Sequence, residues 1–266
     1  MPSIARLAHA VENISNYGNP FQILLDRRFA RRDKMTIVDR KTGVSVKALR
    51  ESYPMFADTW YHRDYDVAGC PLRKEDVVVD VGANHGFFTC YAAQRGAHVY
   101  AFEPNPKTFE LLMENVVRNG FADRVNAQCT AVADFDGETD LQCYPSHDGW
   151  DTISPARDQA VGSFFEQRER VPVKVGRLSS LIPAEGNIRL LKLDCEGTEL
   201  AILKDFKSIE RFDSLAMEFH AGAYPIGVLV EQLLSFRTHQ VYALHGHIVH
   251  AIRSDVLLEF ARSMNE

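Results

Sequence analysis

Three groups of residues in this 266-residue chain have the types and spacing to do chemistry. The first is Asp80-Val81-Gly82-Ala83-Asn84-His85-Gly86, which follows the β-branched run Val77-Val78-Val79. The second is Glu103, which closes the run Val99-Tyr100-Ala101-Phe102 and stands 21 residues after Gly82. The third is Asp194, Glu196 and Glu199 after the apolar run Leu190-Leu191-Lys192-Leu193, with Glu218 and His220 further on. The first two suit a ligand with an adenosine end: a glycine turn brings backbone close, a helix N-terminus follows, and an acid on the next strand grips the ribose hydroxyls. A dinucleotide turn places a second glycine where this chain has Asn84, so that backbone can approach a pyrophosphate. Asn tolerates left-handed backbone better than other non-glycine residues, but its side chain crowds a pyrophosphate. S-adenosylmethionine has no phosphate, so it fits better than NAD or FAD.

Around that cofactor the expected contacts are Asp80, Gly82, Ala83, Asn84, Gly86, Thr89, Glu103, Pro104 and Ala131. Glu103 takes the ribose, Asp80 fixes the glycine turn or reaches the methionine ammonium, and Thr89 bonds the methionine carboxylate or packs its helix. The stretch from Thr130 to Ala133 lies by the adenine. Three carboxylates within six residues are costly unless cations face them. Asp194 and Glu196 are therefore read as orienting an acceptor or taking its proton. A structural network, or a divalent cation with His220 as a ligand, are the other readings, and no residue is assigned to a metal. Lys192 shares a strand face with Asp194 and can pair with it. His220 shares a face with Glu218 and has the pKa of a general base near neutrality, with a buried structural histidine as the other reading. His85, Trp150, Asp151 and Glu218 are placed on the acceptor side.

The elements that position these groups alternate. Strands are expected at 76–81, 98–103, 124–130, 188–194 and 214–220, and helices at 86–95, 106–119, 197–204 and 225–236. Strands near 239–244 and 247–252 close the chain. Alternating β/α units mean a mostly parallel sheet with helices on both faces. Residues 1–70 read as an N-terminal extension with a helix over 20–33 and a hairpin from Met35 to Val46, ahead of a domain over 71–266. Arg27, Arg28, Arg31 and Arg32 stack at helical spacing, as a solvated face or an anion-binding patch. The stretch 144–172 is loop-rich, as a lid or a plain insertion is. His245, His247 and His250 are expected at the surface.

Asp80 to Gly86, then Phe102-Glu103-Pro104-Asn105, then Leu191-Lys192-Leu193-Asp194-Cys195-Glu196-Gly197-Thr198-Glu199 resemble, in order and spacing, the three blocks of FkbM-type S-adenosylmethionine-dependent methyltransferases. The resemblance covers about residues 74–222. It departs at His85, where the family usually has an aliphatic residue. It implies an α/β, Rossmann-like class I fold, with a mostly parallel seven-stranded sheet and one antiparallel strand. The cofactor is then S-adenosylmethionine, and the acceptor a sugar or secondary metabolite. The expected reaction is methylation of a small-molecule hydroxyl. N-methylation is the near alternative. A non-catalytic cofactor-binding module and an NAD-dependent oxidoreductase are the rivals from other classes.

Composition bounds the rest. Apolar residues make up 45% and charged residues 25%, ordinary for a globular domain. A net charge of −6 argues against nucleic acid as the main partner. No run reaches the roughly 18 apolar residues of a membrane span. The first residues lack a long apolar core and the five cysteines form no C-x-x-C pair, so free thiols and a cytoplasmic location are expected. Oligomeric state is open, a homodimer included.

Overall fold

The computed structural model describes residues 16–23, 34–144, 148–164, 167–245 and 247–264. Most of the expected helix over 20–33, with its four arginines, lies outside them. The expected hairpin is present: β1 (Lys34–Val38) pairs antiparallel with β2 (Ser45–Leu49). Asp39 Oδ2 accepts from the Thr42 amide and hydroxyl and closes its turn. Next come α1 (Tyr53–Ala57), with Pro54 in its first turn, and a π-helical continuation, Asp58–His62.

Then the β/α units begin. β3 (Val77–Val81) leads to α2 (Phe87–Gln94), and β4 (His98–Phe102) to α3 (Pro106–Arg118). Asn105 caps α3 by accepting from the Lys107 amide, with Pro106 at the first helical position. β5 (Val125–Gln128) follows. Next are three strands with no counterpart among the expected elements: β6 (Ala131–Ala133), β7 (Gly137–Cys143) and β8 (Glu169–Arg177), forming a side sheet in the order β6-β8-β7. Between β7 and β8 the chain carries α4 (Pro155–Val161), flanked by 3₁₀ turns at Asp148–Trp150 and Gly162–Phe164. After α5 (Leu178–Leu181) come β9 (Ile188–Leu193), α6 (Glu199–Asp205), β10 (Phe212–Glu218), α7 (Ile226–Ser235), β11 (His239–His245) and β12 (Ile248–Arg253). A helix absent from the expectation, α8 (Ser254–Ser263), ends the described chain.

The main sheet has the order β11-β12-β10-β9-β3-β4-β5. β12 runs antiparallel to both of its neighbours, and the pairs among β10, β9, β3, β4 and β5 are parallel. This is the expected Rossmann-like sheet. Strand order reverses between β3 and β9, and ligands bind at the carboxyl ends of strands beside such a switch. All six residues of β9 are buried, as a central parallel strand requires.

The N-terminal segment packs into the same apolar cluster as the sheet. Tyr17, Phe56, Trp60 and Tyr65 join Phe87, Phe88 and Tyr91 of α2 there. Seven of the eight α2 residues are buried as a result. The exposed edge of β2 is covered by side-chain amides: Asn115 accepts from the Lys47 amide and donates to its carbonyl, and Asn119 does the same for Ser45. All five cysteines are free thiols. Among the described residues no helix is long and apolar enough to cross a membrane.

Candidate active site

At the switch point the chain leaves β3 through Gly82, whose φ is +74°. A Cβ there would collide with the Asp194 carbonyl, so the turn from β3 and the tip of β9 touch only because this residue is glycine. Asn84 takes the left-handed conformation (φ +50°) and accepts from the His85 amide with its own side chain. The Gly82 and Ala83 amides both donate to the Phe102 carbonyl, 3.0 Å away in each case.

Glu103, 6% exposed, stands directly beyond β4. One carboxylate oxygen accepts from the Asn84 amide (2.9 Å) and the other from the Asn105 amide (2.8 Å). The acid is therefore aimed before any ligand arrives. It lines a narrow slot with Pro104, Thr130, Ala131, Val132 and Asn84.

Four of the expected cofactor contacts do not line the slot. Asp80 is fully buried and accepts from the Thr89 hydroxyl at 2.6 Å, while Lys192 Nζ lies 3.1 Å from its other oxygen. Thr89 is fully buried too, and neither residue lines the slot or the larger cavity. They form a floor beneath the turn, because Lys192 also donates to the Gly82 carbonyl (2.6 Å). Gly86 opens α2 in left-handed conformation and packs on Leu112 rather than on the slot. Ala83 lines the larger cavity described next, not the slot. His85, placed on the acceptor side, lines neither space. It is fully buried: its ring packs edge-on against Phe87, and its carbonyl accepts from Asn115.

Beside the slot is a cavity of about 580 Å³, within the size range of small-molecule sites. The two share Met55, Gly82, Asn84, Gly149, Asp194 and Glu196. Its polar centre is Asp194 and Glu218, bridged by one hydroxyl. Tyr65 donates to Asp194 Oδ2 at 2.9 Å and lies 3.3 Å from Glu218 Oε2. Lys192 Nζ sits 3.4 Å from the same Asp194 oxygen. The neighbouring Asp194 charge, with burial, pushes Glu218 up to about 8. Burial works against the charge of Lys192, but Asp80 and Asp194 outweigh it and hold the ammonium above its ordinary range.

His220, expected as the base, lies beyond the regular part of its strand. β10 ends at Glu218, so strict strand alternation stops two residues short of it. The ring is 4% exposed and lines neither space. Nδ1 lies 2.8 Å from Glu199 Oε1, while Nε2 faces Glu196 Oε1 at 3.3 Å and Asp194 Oδ1 at 3.6 Å. Burial opposes its charge, but Glu199 and Glu196 win and raise it well above the usual histidine range. The ring is thus packed among the carboxylates of Asp194, Glu196 and Glu199. Burial disfavours the Glu199 charge as well, yet His220, backbone amides and Tyr224 hold it at about 2. Glu196, in left-handed backbone at φ +53°, accepts from Arg157 Nε at 2.7 Å. That pair ties α4 to the tip of β9.

The loop-rich stretch covers the site. Gly149 and Asp151 line the slot, and Trp150, 37% exposed, lines the larger cavity beneath the Arg157 guanidinium (5.1 Å to the ring centre). Asp151, expected on the acceptor side, lines the slot and accepts from Asn105 Nδ2 (2.6 Å) and the Tyr144 amide (2.9 Å). Of the three late histidines, His247 borders the larger cavity. His250 donates to the Asp64 carbonyl (2.7 Å) rather than facing solvent, and the His245 side chain lies outside the described residues. Among the described residues, Asp194, Glu218 and His220 bring three potential metal-ligand atoms within 4.8 Å of one another. Lys192 Nζ stands 3.4 Å from Asp194 of that group. Tyr65, Met55 and Arg157 had no local motif to mark them.

The family model described as the methyltransferase FkbM domain matches residues 80–245. The chain is similar to 31-O-demethyl-FK506 methyltransferase FkbM of Streptomyces tacrolimicus, with 31% identity over 74% of this chain and 83% of that protein. It is 30% identical to methyltransferase sdnD of Sordaria araneosa, over 62% of this chain and 73% of the relative. It is 31% identical to hexuronic acid methyltransferase AglP of Haloferax volcanii, over 68% and 74%. A glycine turn, an acid aimed by two amides and an adjoining carboxylate-centred cavity thus sit in a chain that belongs to the FkbM family of methyltransferases.

Proposed function

We propose that the protein transfers a methyl group from S-adenosylmethionine to a hydroxyl of a small-molecule acceptor. The observation that carries this reading is Glu103, fixed by two backbone amides at the wall of a slot that opens beside Asp194 and Glu218. A carboxylate offers about four acceptor positions, more than two amides use, so a ribose diol can join them. Thr130, Ala131 and Val132 supply the apolar wall for adenine. When bound, S-adenosylmethionine supplies a methyl carbon that leaves sulfur, with its bonding electrons left behind, as the acceptor oxygen bonds to it.

The chain's own contribution is alignment and proton removal. Holding two reactants in place can supply up to about 7–11 kcal/mol of a barrier. An alcohol must also lose its proton, and a placed base adds about 10²–10⁴-fold. Glu218 is that base: Asp194 raises its proton affinity, so once ionised it is a stronger base than an ordinary carboxylate. Tyr65 positions both acids. The Streptomyces relative, named for a 31-O-demethyl compound, supports oxygen as the target. Calorimetry with S-adenosylhomocysteine tests the cofactor reading, with binding expected at one site per chain. No binding to the folded protein overturns it.

A further inference from the structure

The slot and the larger cavity share six lining residues: Met55, Gly82, Asn84, Gly149, Asp194 and Glu196. A cofactor with its ribose on Glu103 and an acceptor with its hydroxyl at Asp194 and Glu218 can react only across this threshold. The sulfonium and its methyl group therefore belong there. Four of the six residues come from the loops that leave β3 and β9. The other two come from separate parts of the chain, Met55 from α1 and Gly149 from the covering segment. These two pack on each other: a Cβ on Gly149 would stand 3.2 Å from Met55 Cε and 3.4 Å from its sulfur.

Both are held from behind. Phe56 and Trp60 stack at 5.3 Å, and the Trp60 indole donates to the Phe87 carbonyl (3.1 Å), so α1 is fixed to α2. Asp151 is fixed by Asn105 and the Tyr144 amide. The Thr152 hydroxyl donates to the Glu196 carbonyl (2.6 Å), which ties the covering segment to the threshold itself. Met55 is the one large apolar side chain of the six. It has no proton to move and no charge to place, so what it contributes at this point is shape.

We propose that Met55, packed on Gly149, sets the size of the group carried on the sulfonium, admitting a methyl and rejecting longer alkyl groups. The inference rests on the methyltransferase reading of the site. A longer group must displace either the thioether tip or an anchored segment. One extra methylene in a fitted apolar pocket costs about 10- to 200-fold in discrimination. Met55 is unbranched and adaptable, which places the effect at the lower end.

The test compares binding of S-adenosylmethionine and S-adenosylethionine to the full chain by calorimetry. The second compound carries an ethyl in place of the methyl and the same charge, and no acceptor is needed. Wild type should bind the ethyl compound about 10-fold more weakly. Met55→Ala should bring the two to similar affinity. Gly149→Ala adds a methyl against the thioether and should widen the gap. A role in packing alone would weaken both ligands together and leave their ratio where it was. Equal wild-type affinities, or a ratio that Met55→Ala leaves unchanged, overturn the proposal. Should Met55→Ala misfold, Gly149→Ala decides, and an unchanged ratio in that protein overturns it. Failure of the folded wild-type protein to bind either compound would instead sink the underlying methyltransferase reading.

Discussion

Replacing Glu103 by alanine removes the acid on which the cofactor reading rests. In the folded protein its oxygens hold the Asn84 and Asn105 amides at 2.9 and 2.8 Å. Two effects follow from the substitution. The ribose diol loses a charged acceptor, and hydrogen bonds to charged groups contribute about 1.5–3 kcal/mol each. The two amides also lose their partner, which loosens the Asn84 turn. Glu103→Gln separates these effects, since its one remaining oxygen can still take an amide while the negative charge is gone. Calorimetric titration with S-adenosylhomocysteine should show about 10- to 150-fold weaker binding for Glu103→Ala. Glu103→Gln should fall between that variant and wild type. Unfolding should be affected less than binding, because Glu103 lies at the edge of the core. Wild-type affinity in a folded Glu103→Ala protein refutes the assignment of this slot to the ribose.

Other expectations follow from the same geometry. Glu218 must be ionised to accept a proton, and its pKa stands at about 8, so kcat/KM should rise with pH through that value and level off above it. Glu218→Gln should remove the rise and cost about 10²–10⁴-fold in rate, and an unchanged profile counts against Glu218 as the base. Arg157→Ala strips a buried cation from Glu196 (2.7 Å) and from the Ala221 carbonyl (2.8 Å). It should cost roughly 3 kcal/mol of stability and raise hydrogen exchange across 148–164, both read on the free protein. No rise in exchange means that this pair does not hold the covering segment. The slot measures only about 50 Å³ with Met55 and Gly149 across it, well below the size of an ordinary ligand site. Exchange protection at 148–152 should therefore change when S-adenosylhomocysteine enters.

Much of this was legible in the sequence where backbone constraint leaves a residue signature. Gly82 must be glycine because the Asp194 carbonyl occupies its Cβ position, and Glu103 ends a strand whose apolar run is plain. The order of strands and helices follows from the same local signals. What failed was side-chain partnership. Asp80 and Thr89 have the types and spacing of ligand contacts, yet they bond each other beneath the turn. His220 has the type of a base, but its ring is buried among Asp194, Glu196 and Glu199, acids 21 to 26 residues away in sequence. Tyr65 and Arg157 carry no motif, because their partners lie 129 and 39 residues away. The side sheet of β6, β7 and β8 escaped for a related reason. Its strands are short or half-exposed, and their pairing is set by a long connection rather than by local pattern.

Following the methyl group itself tests the proposed transfer most directly. The protein is incubated with S-adenosylmethionine carrying a ¹³C-labelled methyl group and with a small-molecule extract of the cells that make it. Carbon NMR of the labelled product distinguishes a methyl on oxygen from a methyl on nitrogen or carbon. Hydroxyl methylation with Glu218 as the base predicts one labelled methyl ether on a low-molecular-weight compound, formed with an equal amount of S-adenosylhomocysteine and lost in the Glu218→Gln protein. Label on nitrogen, or the same yield from Glu218→Gln, contradicts it.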